Sequence, residues 1–114
     1  MSTRDTEAVL EHHLGAVGAG DLDGILSDYS DESILHTPDG TKRGLAEIQG
    51  FFESFGERAP ASFMDNFQMV RSVVEGEIAF IAWQSGGEVP LGTDTFVIRG
   101  GKISVQTYAA HFTE

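Results

Sequence analysis

Three glycine turns in the second half of this 114-residue chain, at Glu75-Gly76, Gly86-Gly87 and Gly100-Gly101, narrow what it can fold into. They separate four long segments rich in β-forming residues: Phe63 to Val74, Glu77 to Ser85, Val89 to Arg99 and Lys102 to Phe112. Strands of that length joined by tight glycine connections predict an antiparallel meander. The first half carries a helical period instead. Leu10, His13, Leu14 and Val17 recur at helical spacing between Thr6 and Val17, with Asp5 placed to cap them. Gly18-Ala19-Gly20 interrupts that helix, and Asp21 opens a second, short one through Leu22, Ile25, Leu26 and Tyr29. Glu32 to Thr37 reads as a short strand and Pro38-Asp39-Gly40 as a turn. Gly44 then starts a third helix with Leu45, Ile48, Phe51, Phe52 and Phe55 on one broad apolar face. Helices followed by a strand meander predict one α+β domain over residues 1–114, its curved, mainly antiparallel sheet wrapped around helices on one face. Such a wrap leaves a pocket wherever inward side chains do not fill it.

Charge and composition limit the partners. Eighteen acidic against seven basic residues give a net charge of -11, which repels nucleic acid phosphates and anionic lipid headgroups. The chain has no cysteine, so neither disulfides nor Cys-bound zinc enter. The opening Met1-Ser2-Thr3-Arg4-Asp5 lacks the apolar core of a signal peptide, and no apolar stretch is long enough to span a bilayer. The expectation is a cytoplasmic protein with neither nucleic acid nor membrane as partner.

One residue stands out within the strands. Asp94 is a lone acid in Gly92-Thr93-Asp94-Thr95-Phe96-Val97-Ile98, and strand alternation places it on one face with Phe96 and Ile98. If that face is the interior, burial disfavours the charged carboxylate and the residue points to chemistry or ligand binding. If the face is exterior, Asp94 is an ordinary solvated acid, and Thr95 and Val97 line the core. Other constellations fail on spacing. His12, His13, His36 and His111 have no metal-ligand pattern, so neither a metal nor a cofactor is expected. Gly18-Ala19-Gly20 with Gly24 follows a helix and not a strand, which excludes a dinucleotide loop.

Three stretches, Ala19-Gly20-Asp21-Leu22-Asp23-Gly24-Ile25, the strand ending at Thr37-Pro38, and the hairpin from Asp94-Thr95-Phe96 to Gly100-Gly101-Lys102-Ile103, occur here in a recognisable order. In that order the chain resembles the NTF2-like, SnoaL-like cone fold, and within it most nearly the Δ5-3-ketosteroid isomerases, from Thr6 to Phe112. The resemblance implies that Asp94 is the inward acid that hydrogen-bonds a substrate carbonyl; the protonated aspartic acid of ketosteroid isomerase is a known case of such tuning. It places Tyr29 in the same hydrogen-bond network and His13 where the isomerases have their oxyanion-hole tyrosine. Thr37 falls where they have the catalytic aspartate base, and a threonine cannot abstract a proton near neutral pH.

The implied site is an aromatic cup. Asp94, His13 and Tyr29 are the candidate catalytic groups, with His13 and Asp94 able to pair so that the carboxylate raises the imidazole's pKa. Thr37, Phe51, Phe55, Trp83, Phe96, Gln106 and Tyr108 are candidate ligand-binding residues, with Ile81, Ser85, Ala110 and Phe112 on the same walls. The expected ligand is a small apolar carbonyl or hydroxyl compound, the expected activity that of an isomerase or lyase. The alternative is a module of the same fold that binds a ligand or dimerises without turnover. A homodimer is expected through the outer sheet face, with Met64, Val70 and Val74 exposed there.

Overall fold

The structure is a computed structural model that describes residues 3–59 and 62–113. The chain runs α1 (Thr3–Ala19), α2 (Leu22–Leu26), β1 (Ile34–Thr37), β2 (Gly40–Arg43), α3 (Gly44–Arg58), β3 (Phe67–Glu75), β4 (Ile78–Ser85), β5 (Val89–Arg99) and β6 (Lys102–His111). The six strands form one sheet in the order β2-β1-β6-β5-β4-β3. The β3 to β6 meander is antiparallel, while β1 joins β6 in parallel. At Gly100-Gly101 φ values of 59° and 75° give the left-handed pair a two-residue hairpin requires.

Helix α1 buries Leu10 and His13, as its period predicts, together with Ala16, while Leu14 and Val17 are half-buried. Thr6 and Thr3 at its start hydrogen-bond Gly76 in the β3–β4 turn, which fixes the helix across one end of the sheet. Asp21 caps α2 by accepting from the Gly24 amide at 3.1 Å. The core lies between these helices and the inward residues of β4, β5 and β6, with Ala79, Phe96, Ile98 and Ile103 fully buried.

Four expectations are corrected. The strand expected from Phe63 begins at Phe67; Phe63 sits in a turn, yet its ring is buried in the core. Helix two ends at Leu26, before Tyr29. Strand β2 has no signature in Gly40-Thr41-Lys42-Arg43, and it exists because the Pro38-Asp39 turn folds those residues back onto β1, so that α3 follows a hairpin. Met64 and Val74 are not on the outer face. A bulge between Met69 and Arg71 adds one residue, so Val74 pairs with Ala79 and turns inward, while Met64 lies near Gly18.

The loop before β1 is anchored by Ser33, which is almost fully buried. Its hydroxyl accepts from the Ser30 amide at 2.9 Å and donates to the Ile103 carbonyl at 2.6 Å. Ser33→Ala removes both bonds and is expected to cost about 1–3 kcal/mol. Urea unfolding that shows less than half a kcal/mol would contradict this.

Candidate active site

Asp94 faces the interior, on the side of β5 that also carries Gly92, Phe96 and Ile98. Its Cα partners are Ile81 on β4 and Tyr108 on β6. The carboxylate is held by two neighbours that reach it diagonally along adjacent strands. Trp83 Nε1 donates to Oδ1 at 2.9 Å and Gln106 Nε2 donates to Oδ2 at 2.9 Å. Gln106 in turn accepts from the Tyr29 hydroxyl, so a buried chain of hydrogen bonds runs from the loop after α2 to β4. Burial raises the Asp94 pKa to about 6, against the opposing pull of the Trp83 and Gln106 hydrogen bonds, which favour the charged form. Burial also holds the Tyr29 hydroxyl well above its ordinary pKa, reinforced by Asp94 and Asp28.

The indole of Trp83 reaches Asp94 by lying across Gly92, its cross-strand partner. A Cβ at position 92 would come within 2.2 Å of Cζ2 and 2.3 Å of Cε2 of that ring. Phe63 and Phe67, each with its ring centroid 5.5 Å from the indole, also pack against it.

His13 lies in the same interior, edge-on to Tyr29, Phe52 and Phe96 at 5.5–6.0 Å between ring centroids. The expected pairing with Asp94 is not made, because the Asp94 oxygens are taken by Trp83 and Gln106 and His13 Nδ1 points the other way. That nitrogen is 3.8 Å from Asp28 Oδ2 and has no hydrogen-bond partner among the described residues. The Asp28 carboxylate is instead gripped by His12 Nδ1 at 2.8 and 2.9 Å. Burial lowers the His13 pKa to about 4, with His12 beside it adding to the effect, so the expected rise is reversed and the imidazole is neutral at pH 7. Asp28 and His12 were missed from sequence because the buried acid stands in a loop without period, 16 residues from its partner.

The cavity enclosed by these groups has a volume of about 80 Å³. Phe51, Phe55, Trp83, Phe96, Gln106 and Tyr108 line it, with Phe52 and Phe63 from outside the expected set. Thr37 does not. Its hydroxyl donates to the Gly40 carbonyl and accepts from the Asp39 amide, and it lines a separate outer cleft of about 500 Å³ with Tyr108, Ala110 and Phe112. Ser85 is spent on the Phe63 carbonyl, and Phe112 is substantially exposed. His36 is exposed and bonded to Thr41, away from the cavity. Among the described residues no cluster of His, Asp or Glu suits a metal, and no helix is long and apolar enough to cross a membrane.

Helices seated in a curved six-stranded sheet, with a buried acid in the space between, define an NTF2-like cone. The chain belongs to the SnoaL-like domain family, whose model matches residues 10–113. No curated protein sequence matches it. Among solved structures it is similar to an NTF2-like protein of unknown function from Burkholderia xenovorans LB400 (21% identity, 100% of this chain and 88% of that one, TM-score 0.78). It is also similar to a protein from Kribbella flavida DSM 17836 described provisionally as a ketosteroid isomerase (14% identity, 97% and 81%, TM-score 0.74). A third, from Sinorhizobium meliloti, is described provisionally as a polyketide cyclase (15% identity, 95% and 99%, TM-score 0.76). At these identities the likeness is one of fold.

Proposed function

We propose that this domain binds a compact, largely apolar carbonyl or hydroxyl compound in the inner cavity and moves a proton on it, as an isomerase or lyase. The observation that carries the reading is the Asp94 carboxylate, buried among aromatic rings and held by two donors. A carboxyl that titrates near pH 6 is available both to take and to return a proton close to neutrality. The donors Trp83 and Gln106 stabilise its ionised form, which favours a general base. This differs from the isomerase arrangement, in which the corresponding acid stays protonated. His13, neutral and on the cavity wall, supplies a polar contact for the ligand's oxygen, as neutral imidazoles do elsewhere.

Size narrows the ligand. At about 80 Å³ the cavity is far below the roughly 300 Å³ at which pockets for drug-sized ligands begin. A steroid nucleus does not enter unless the α3 phenylalanines move, so a single-ring compound is the better fit.

The test uses 3-cyclohexenone and follows the absorbance of the conjugated enone. The wild type is expected to produce it, and Asp94→Asn to lose at least about 100-fold in rate, the usual worth of a general base. Equal rates in the two proteins would refute the assignment. Thr37, committed to the hairpin where the isomerases have a base, favours a second reading, a binding module without turnover. In that case 3-cyclohexenone changes the emission of Trp83, the single tryptophan, and no enone forms. A homodimer through the outer sheet face is part of the same proposal, supported by the half-buried outward Val73, Phe80, Val97 and Val105.

A further inference from the structure

The outer cleft of about 500 Å³ is walled by the β1–β2 hairpin, the exposed flank of α3 and the end of β6. Two of its features are unusual for this chain. It gathers Lys42 and Arg58, two of only seven basic residues in a protein of net charge -11. Among the described residues neither cation forms an ion pair; Arg99 alone of the lysines and arginines does, with Glu77. Of the two acids in the cleft, Glu47 accepts from the Arg43 amide at 2.7 Å at the start of α3, which leaves Asp39 at the hairpin tip as the uncommitted one. The second feature is the floor. Phe51 and Tyr108 line both the outer cleft and the inner cavity, so those two rings are common to the walls of both spaces. Tyr108 is the Cα partner of Asp94, and no described residue hydrogen-bonds its hydroxyl.

We infer that the cleft is an anion-binding vestibule to the Asp94 cavity and that the ligand is a small carboxylic acid with an apolar body. Lys42 and Arg58 hold the carboxylate, and the body passes between Phe51 and Tyr108 toward Asp94. The physical case is one of contrast. A protein with this surplus of acids repels anions over most of its surface, whereas in this cleft two cations without ion pairs balance Asp39 and Glu47, which lifts that repulsion locally. Aromatic rings on the floor then provide the apolar contact that free inorganic anions cannot use. The inference rests on the inner-cavity reading and adds to it the charge of the ligand.

Its test compares 4-phenylbutyrate with the isosteric neutral 4-phenylbutyramide at pH 8, by calorimetry and by Trp83 emission. The acid is expected to bind about tenfold more tightly than the amide and to change the emission. Lys42→Gln and Arg58→Gln, both at accessible positions, are each expected to weaken the acid about five- to tenfold and to leave the amide unchanged. Acid and amide binding equally, with an emission change from both, would overturn the vestibule and leave the inner cavity standing. Heat from the acid without an emission change would show an isolated anion site and overturn the link to Asp94. Silence from both probes in both measurements would overturn the vestibule together with the cavity reading beneath it.

Discussion

In Asp94→Asn, stability is expected to climb by about 3 kcal/mol between pH 4 and 6.5, whereas the contributions of Asp94 and His13 in the wild type cancel over most of that range. Asp94 has a native pKa raised from 3.8 to about 6, so between those values the folded chain holds a proton that the unfolded chain has released. Its contribution to stability therefore falls as pH rises through that window. His13 has a native pKa lowered from 6.5 to about 4, so there the unfolded chain holds the extra proton, and its contribution is lost as pH falls. A displacement of roughly two pH units is worth about 3 kcal/mol in either direction. The two slopes oppose each other, so removing one leaves the other uncancelled, and the difference from wild type equals the contribution that was removed. His13→Phe keeps the ring contacts with Tyr29, Phe52 and Phe96 and is expected to lose about 3 kcal/mol between pH 4 and 6. It also relieves the unpartnered Nδ1, so at pH 7 it should be no less stable than the wild type. Urea unfolding at steps of pH, read as the difference between variant and wild type, cancels the other carboxylates. Parallel profiles in all three proteins would refute the burial of both groups in their stated forms.

Gly92→Ala is expected to cost about 3 kcal/mol or more, a large loss for one added methyl. The new carbon would stand 2.2–2.6 Å from three atoms of the Trp83 indole, which is also packed against the Phe63 and Phe67 rings. Displacing the ring breaks its bond to Asp94 and leaves a buried carboxylate oxygen without a donor. Two readouts follow: a lower unfolding midpoint and a changed Trp83 emission at neutral pH. Adding Trp83→Phe to Gly92→Ala removes the clash, and the double variant should then be more stable than additivity of the two single changes allows. Tolerance of the alanine within half a kcal/mol, with unchanged emission, would refute the packing of indole on backbone.

The elements of the fold were legible to the extent that their signals are local. Glycine turns mark the ends of β3, β4 and β5, and the spacing of Leu10, His13, Leu14 and Val17 marks the inward side of α1, with Leu10 and His13 buried and Leu14 and Val17 half-buried. Strand β2 was not legible, since four residues with no apolar member carry no period and pair only because β1 is beside them. The outer face was misread at Val74, because a single bulged residue at Val70 reverses every later side chain of β3 and no local pattern announces it. Within the site, alternation and the resemblance together put Asp94, Gln106 and Tyr108 on one face. The resemblance, however, carried Thr37 into a cavity that its hairpin bonds exclude it from.

The sequence by itself determined the helix-then-meander order, the hairpin turns and the set of aromatic and polar side chains available to a cavity, because turn geometry and side-chain period depend on neighbours along the chain. Only the tertiary structure decided what each of those groups does. Trp83 reaches Asp94 because Gly92 lies between them in the strand register, and Tyr29 reaches Gln106 across 77 residues. His13 is neutral because helix docking buries its imidazole, and its Nδ1 lies 3.8 Å from an Asp28 carboxylate that His12 holds. Hydrogen-bond partners and burial are set by cross-strand register and helix docking, and these are properties of the packed chain as a whole.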